Sequence, residues 1–355
     1  MIRKGNEMEH RPILSTYCTH QGLGIMTVQD LLRLDILFYA FGDVDGGRLS
    51  FAHEEDLALL PVLRRVNPEL RLVLSLGGGG KSGFSSSTQT PAMRRALARK
   101  IAQTVHERGF DGVDIDWEFP TVNGVREERA WHAELLCLLR KELDRIAGGR
   151  RYLLSIAAPS GEWCFKTIDL AAIAPVLDYV CLMTYDMAGG GHLTCHHTAA
   201  RSAPIPAMAE ASVQANLEIF AAHGIPAEKI LPGAAFYSRL WRDVRPPADG
   251  GYPGGLFVET DGPSDYGPGY DELLRGYIGK NGFIRYWDDA AKAPYLFDGG
   301  TFISYDDPQS LREKCRLVRQ AGAAGMMAWE YGYDSSHTLL PAMERYLRAD
   351  AAERE

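Results

Sequence analysis

The chain has 355 residues, a net charge of −8 and 46% hydrophobic residues, enough apolar material for one large barrel or two ordinary domains. Charged residues at 24% argue against long disorder, and the acidic balance argues against a nucleic-acid partner, since phosphate binding wants clustered Lys and Arg. No apolar run approaches the ~20 residues that span a bilayer, so no membrane partner is expected.

Residues 1–12 are polar and charged and show no apolar segment of the signal-peptide kind. As written, this predicts a cytoplasmic chain, or an exported one if a leader was trimmed. From there β-rich runs alternate with helix-length segments. Strands are predicted at 13–18, 35–41, 71–76, 112–118, 152–158, 179–185, 230–237 and 324–330. The helix after residue 90 is well marked. Thr90 can cap it, Pro91 suits its first turn, Gly109 can end it, and Met93, Leu97, Ile101 and Val105 form one apolar stripe. A second helix is predicted at 126–147, with Trp131, Leu135, Leu138, Leu139 and Ile146 facing inward. Eight strand–helix alternations imply parallel strands with crossover helices. An open doubly wound sheet would satisfy them, but eight repeats favour a closed (β/α)8 TIM barrel.

The barrel is expected over 12–240 and 302–347. Residues 241–301, rich in Gly, Pro and aromatics, exceed what one helix requires and are expected to form a small α+β insertion subdomain between the seventh and eighth barrel strands, rather than a long loop. Residues 348–355 read as a frayed polar tail. The six cysteines (Cys18, Cys137, Cys164, Cys181, Cys195, Cys315) form no CxxC pair, which argues against a zinc or dithiol motif. Buried free thiols are expected, with a Cys164–Cys195 bridge left open.

The informative segment runs from Phe110 to Pro120. On a strand, side chains alternate faces, so Asp114, Asp116 and Glu118 share one face and Val113, Ile115 and Trp117 the other. The apolar face suits the helical shell, which turns the acidic face into the barrel. Three carboxylates in a row cannot all ionise comfortably, so at least one pKa must rise. Structure gains nothing from this, whereas catalysis gains a protonated acid near neutral pH. Glu118, at the C-terminal end of the strand, is the natural proton donor. The competing reading is a Mg²⁺ or Ca²⁺ site with nitrogen ligands from His196 and His197. A straight row of oxygens does not surround a centre, so no metal or other cofactor is expected. A merely structural or loop-capping role is expected for His192, His196 and His197.

The run Asp111-Gly-Val-Asp-Ile-Asp-Trp-Glu118 resembles the DxxDxDxE signature of glycoside hydrolase family 18, the chitinase family. Other segments agree in order. Ser75-Leu-Gly-Gly78 is similar to the SxGG motif, Met183-Thr-Tyr-Asp186 to MxYD, Phe236-Tyr-Ser-Arg239 to the seventh-strand Tyr and Arg motif, and Met327-Ala-Trp-Glu330 to the eighth-strand tryptophan. Ile303-Ser-Tyr-Asp-Asp-Pro308 also looks like family sequence. The resemblance covers about 12–347, the insert included.

The resemblance implies hydrolysis of chitin or chitooligosaccharides by a substrate-assisted, retaining route, in which the acetamido group of the substrate replaces an enzyme nucleophile. It implies Glu118 as acid, Asp116 holding the acetamido N–H, Asp114 holding Asp116, and Tyr185 orienting the acetamido oxygen. Asp186, Trp329, Tyr237, Arg239, Met183 and Phe41 are the implied sugar contacts, with Trp329 as the floor. Tyr17, Ser75 and Asp111 are the implied supports behind them. Taken alone, Tyr185 and Trp329 read equally well as core aromatics. Many family members carry Trp after SxGG and shortly after MxYD, where this chain has Gly79-Gly80 and Ala188-Gly-Gly-Gly191. That puts processive action on crystalline chitin in doubt and favours soluble oligosaccharides. An endo-β-N-acetylglucosaminidase, a hydrolase of peptidoglycan-like glycans and a non-cleaving lectin remain alternatives. A monomer is expected.

Overall fold

The computed structural model describes residues 11–81, 83–187, 191–248 and 251–349. The expectations for 1–10, for Ala188 to Gly190 and for 350–355 lie outside them.

Among the described residues, fourteen strands are formed. They are β1 (Ile13–Cys18), β2 (Ile36–Asp45), β3 (Arg48–Phe51), β4 (Arg71–Gly77), β5 (Gly112–Asp116), β6 (Leu153–Pro159), β7 (Tyr179–Met183), β8 (Ile230–Ala235), β9 (Tyr237–Trp241), β10 (Asp265–Gly269), β11 (Ile284–Asp288), β12 (Ala293–Phe297), β13 (Phe302–Ser304) and β14 (Gly325–Trp329). Eight of them, β1, β2, β4, β5, β6, β7, β8 and β14, pair in parallel, and β1 pairs with both β2 and β14, so the sheet closes into a (β/α)8 barrel. The β3 strand folds back on β2 as an antiparallel extension.

Helices shield the outside. Thr90 Oγ1 accepts the Met93 N–H at 3.2 Å, Pro91 opens the helix Pro91–Arg108, and Gly109 closes it at φ +79°. Leu97, Ile101 and Val105 of this helix are fully buried. At about 1.5–3 kcal/mol per fully buried large aliphatic side chain, this stripe fixes the helix against the sheet. The next long helix is Glu128–Ile146. Its buried face is Leu135, Leu136, Leu139 and Leu143, while the expected Trp131, Leu138 and Ile146 are half-buried. Leu135 and Leu139 are buried as expected, and His132 also turns inward, its ring against Trp117.

The seventh predicted strand, 230–237, is two strands. It breaks at Phe236, and β9 leaves the barrel to join a five-stranded antiparallel sheet of order β10-β9-β13-β12-β11. The sheet therefore draws on residues at both ends beyond 241–301, from Tyr237 to Ser304. All six cysteines, including Cys164 and Cys195, are free thiols. Arg348, expected at the start of a frayed tail, reaches back to Asp35 at 2.7 Å. Among the described residues, no helix is long and apolar enough to cross a membrane.

Candidate active site

The register of the sheet builds the site. On β5, Val113, Ile115 and Trp117 face the helices, and Trp117 stacks on Phe84 with centroids 5.4 Å apart. Asp114 and Asp116 face the barrel interior. Asp114 lies level with Ser75 of β4 and Ser155 of β6. Ser155 Oγ donates to its Oδ1 at 2.7 Å, while Ser75 Oγ and Tyr17 OH donate to its Oδ2 at 2.8 and 3.0 Å. Burial raises the Asp114 pKa, and these three donors oppose that shift. Asp111 does not join this group. It lies at the opposite end of β5, where its carboxylate accepts from Leu72 N and Arg64.

Asp116 is buried, and its Oδ1 has no hydrogen-bond partner. Burial, then the charges of Glu118 and Asp114, push its pKa well above the ordinary carboxylate range. Glu118 sits just past the end of β5, at the C-terminal rim of the barrel. Burial and the nearby charge of Asp186 raise its pKa to about 7.

A cavity of about 500 Å³ opens over this row. Asp116, Glu118, Tyr17, Phe41, Met183, Tyr185, Asp186, Tyr237, Arg239 and Trp329 all line it. Trp329 stacks on Phe41 at 5.4 Å and tilts against Tyr17 at 5.6 Å. Gly233 on β8 makes room for Tyr185, since a Cβ there would lie 2.5 Å from the tyrosine ring. Gly79 opens the rim beside the acid, where a Cβ would stand 3.5 Å from Glu118 Oε1.

Asp186 adopts φ +53°, a left-handed conformation that Asp tolerates better than most residues. Its carboxylate is held by Arg239 Nε at 2.6 Å and by His197 Nδ1 at 3.3 Å. Burial would raise its pKa, but these two partners outweigh that and hold it well below the usual carboxylate range. His197 therefore touches a cavity residue directly, whereas His196 Nε2 pairs with Asp288 at 3.0 Å and His192 with the Thr260 carbonyl. Phe119, Trp163, Met187 and Tyr266 are among the further cavity residues that escaped the sequence reading. Trp163 packs edge-on against Phe119 at 5.0 Å, and Tyr266 of β10 lies 3.6 Å under the Arg239 guanidinium. Their signal was weak, because Phe119 and Met187 lie in loops, Trp163 opens the short helix Trp163–Thr167 and Tyr266 lies in the insertion, so only the fold brings them to the cleft.

A protonatable glutamate beside stacked aromatics, at the C-terminal ends of the barrel strands, lies where barrel enzymes carry their chemistry. The family model "Glycosyl hydrolases family 18" matches residues 14–334, and the chain belongs to that family. It is 34% identical to Chitinase A1 of Niallia circulans over 81% of this chain and 43% of that protein. It is 30% identical to Chitinase B of Serratia marcescens over 82% of this chain and 70% of that protein. Among solved structures, a glycoside hydrolase family 18 N-acetylglucosaminidase from Paenibacillus barengoltzii superposes with a TM-score of 0.90 at 42% identity, over 95% of this chain and 100% of that one.

Proposed function

We propose that this chain hydrolyses β-1,4-linked N-acetylglucosamine polymers or oligomers, with short soluble chitooligosaccharides as its preferred substrates. The observation that carries this reading is the graded row of Asp114, Asp116 and Glu118. Its outer member is held near pKa 7, and its middle member has a buried oxygen awaiting a donor.

The residues divide the work as follows. Glu118, protonated, gives its proton to the glycosidic oxygen of the leaving sugar. The substrate's acetamido oxygen attacks the anomeric carbon as that bond breaks, forming an oxazolinium ion. Asp116 Oδ1 accepts the acetamido N–H and stabilises the growing positive charge. Tyr185 OH, which lies 4.0 Å from the Met327 sulfur, donates to the acetamido oxygen and holds it in line. Glu118, now a carboxylate, takes a proton from the water that opens the oxazolinium, and the product keeps its configuration. Asp114, tied by three hydroxyls, keeps Asp116 in place. Trp329 forms the floor under the sugar, and Asp186, Arg239 and Tyr237 hold its hydroxyls. The insertion, taken as residues 237–304, walls the cleft through Tyr266.

The test compares release of chromophore from an aryl chitobioside by wild type and Glu118→Gln. Loss of a general acid costs about 10²–10⁴-fold in rate. Equal turnover by the two proteins would overturn the assignment. A second reading, release of single N-acetylglucosamine units, is favoured by the likeness to the Paenibacillus barengoltzii N-acetylglucosaminidase. Turnover of an aryl N-acetylglucosaminide that exceeds turnover of the chitobioside would select it.

A further inference from the structure

Outside the cavity, the C-terminal ends of β1 and of the β2–β3 hairpin bring together side chains that the hydrolytic reading does not use. His20 follows β1 by two residues, and His53 follows β3 by two. Their rings stack with centroids 3.8 Å apart and planes 11° apart. Glu55 Oε1 lies 3.2 Å from His53 Nδ1. One ligand atom from each of His20, His53 and Glu55 falls within 4.8 Å of the others. Behind them, His20 Nδ1 lies 2.9 Å from Asp56 Oδ1, and the other oxygen of this buried aspartate accepts from Tyr39 OH at 3.1 Å.

We propose that His20, His53 and Glu55 form a binding site for a divalent transition cation of the zinc class, separate from the catalytic cavity. Two imidazoles and one carboxylate suit Zn²⁺, Ni²⁺ or Cu²⁺, whereas Ca²⁺ and Mg²⁺ take oxygen ligands. Around a tetrahedral zinc with bonds of about 2.0–2.1 Å, neighbouring ligand atoms stand about 3.3 Å apart. The His53–Glu55 separation already has that length. Turns of His20 and Glu55, both exposed, close the remaining gap. The Asp56 contact is the carboxylate–histidine arrangement found behind metal ligands: it fixes the His20 tautomer and leaves Nε2 as the free lone pair. Three protein donors leave a fourth position for water. The ligands come from segments 33 residues apart, by the difference of 53 and 20. The cation therefore ties β1 to the hairpin in which Phe51 pairs with Gly42, the neighbour of the cavity residue Phe41.

Calorimetric titration of the full chain with Zn²⁺ tests this, with Co²⁺ as a visible-absorption probe of coordination geometry. One equivalent is expected to bind. Binding is lost in the His20→Ala/His53→Ala double variant and falls about 10–100-fold in Asp56→Asn, whose ligands remain but whose support is weakened. Zn²⁺ raises the Tm of wild type and not that of the double variant. Metal-free aryl chitobioside turnover by the double variant matches wild type, which establishes that it is folded. Absence of stoichiometric Zn²⁺ binding to wild type, or equal binding by wild type and the folded double variant, would overturn the proposal.

Discussion

Arg239 Nε lies 2.6 Å from Asp186 Oδ1, and this contact keeps a negative charge permanently beside Glu118. That charge, after burial, is the second cause of the raised Glu118 pKa. In the proposed reaction the free enzyme must hold Glu118 protonated, so kcat/KM falls on the alkaline side with a pKa near 7. Asp186→Asn removes the charge and lowers the Glu118 pKa, which moves this limb to lower pH as well as weakening sugar binding. A pH profile of aryl chitobioside hydrolysis with an unmoved limb in the variant would deny Asp186 this role.

The same acid weakens the fold. In the unfolded chain Glu118 titrates near its ordinary pKa of about 4.3, whereas in the folded chain it holds its proton up to about 7. The folded state binds the proton more tightly, so stability is fully present below the unfolded value and is lost as pH rises through 7. At about 1.4 kcal/mol per pH unit, the cost at pH 8 is on the order of 3 kcal/mol. Glu118→Gln is therefore expected to unfold at higher urea than wild type at pH 8 and at a similar concentration at pH 4. Equal midpoints at pH 8 would show that the fold tolerates the ionised acid freely.

A buried ion pair anchors the loop that carries His197. Lys314 Nζ donates to Asp306 Oδ2 at 2.6 Å, and the same oxygen accepts from Ala235 N at the end of β8. Both side chains are wholly buried. Lys314→Met leaves Asp306 without its cation, and breaking such a pair costs about 3–5 kcal/mol. Urea unfolding at pH 7 should register the loss, and Asp306→Asn added to Lys314→Met should restore part of it.

Trp163 is 40% exposed at the mouth of the cavity and packs on Phe119 by its edge. If it stacks on a sugar about as strongly as aromatic side chains stack on each other, the contact is worth about 0.5–1.5 kcal/mol. Trp163→Ala should therefore raise KM for chitotetraose by about 2–10-fold with kcat retained, because the lost contact binds ground and transition states alike. A fall in kcat at constant KM would place Trp163 in the chemical step instead.

Much of this was legible in the sequence. The alternation of Asp114, Asp116 and Glu118 with Val113, Ile115 and Trp117 gave the facing of β5, because a strand has only two faces and one had to meet the helices. Thr90, Pro91 and Gly109 marked a helix from local backbone chemistry alone. Proximity in the motif misled at Asp111, because a strand of five residues carries its two ends roughly 13 Å apart at about 3.3 Å per residue. The bond between His197 and Asp186 links positions eleven apart, and no periodicity announces such a contact. Tyr266 reaches Arg239 only because β10 pairs with β9. The break at Phe236 was hidden because the apolar run continues through it while the chain changes sheets.

That change of sheets also sets where the molecule can be cut and rejoined. Within the insertion, Trp241 pairs with Phe302 and Arg239 with Ser304, so the outgoing and returning chains form one ladder from the barrel outward. A graft made at residues 241 and 301 would leave Arg239 and its partner Ser304 on one parent and Tyr266, the β10 partner of Arg239, on the other. An exchange made at Phe236 and Tyr305 moves the ladder whole, and with it Tyr237, Arg239 and Tyr266. Swapping this module between relatives is thus a way to transplant part of the cavity lining while the acidic strand stays where it is.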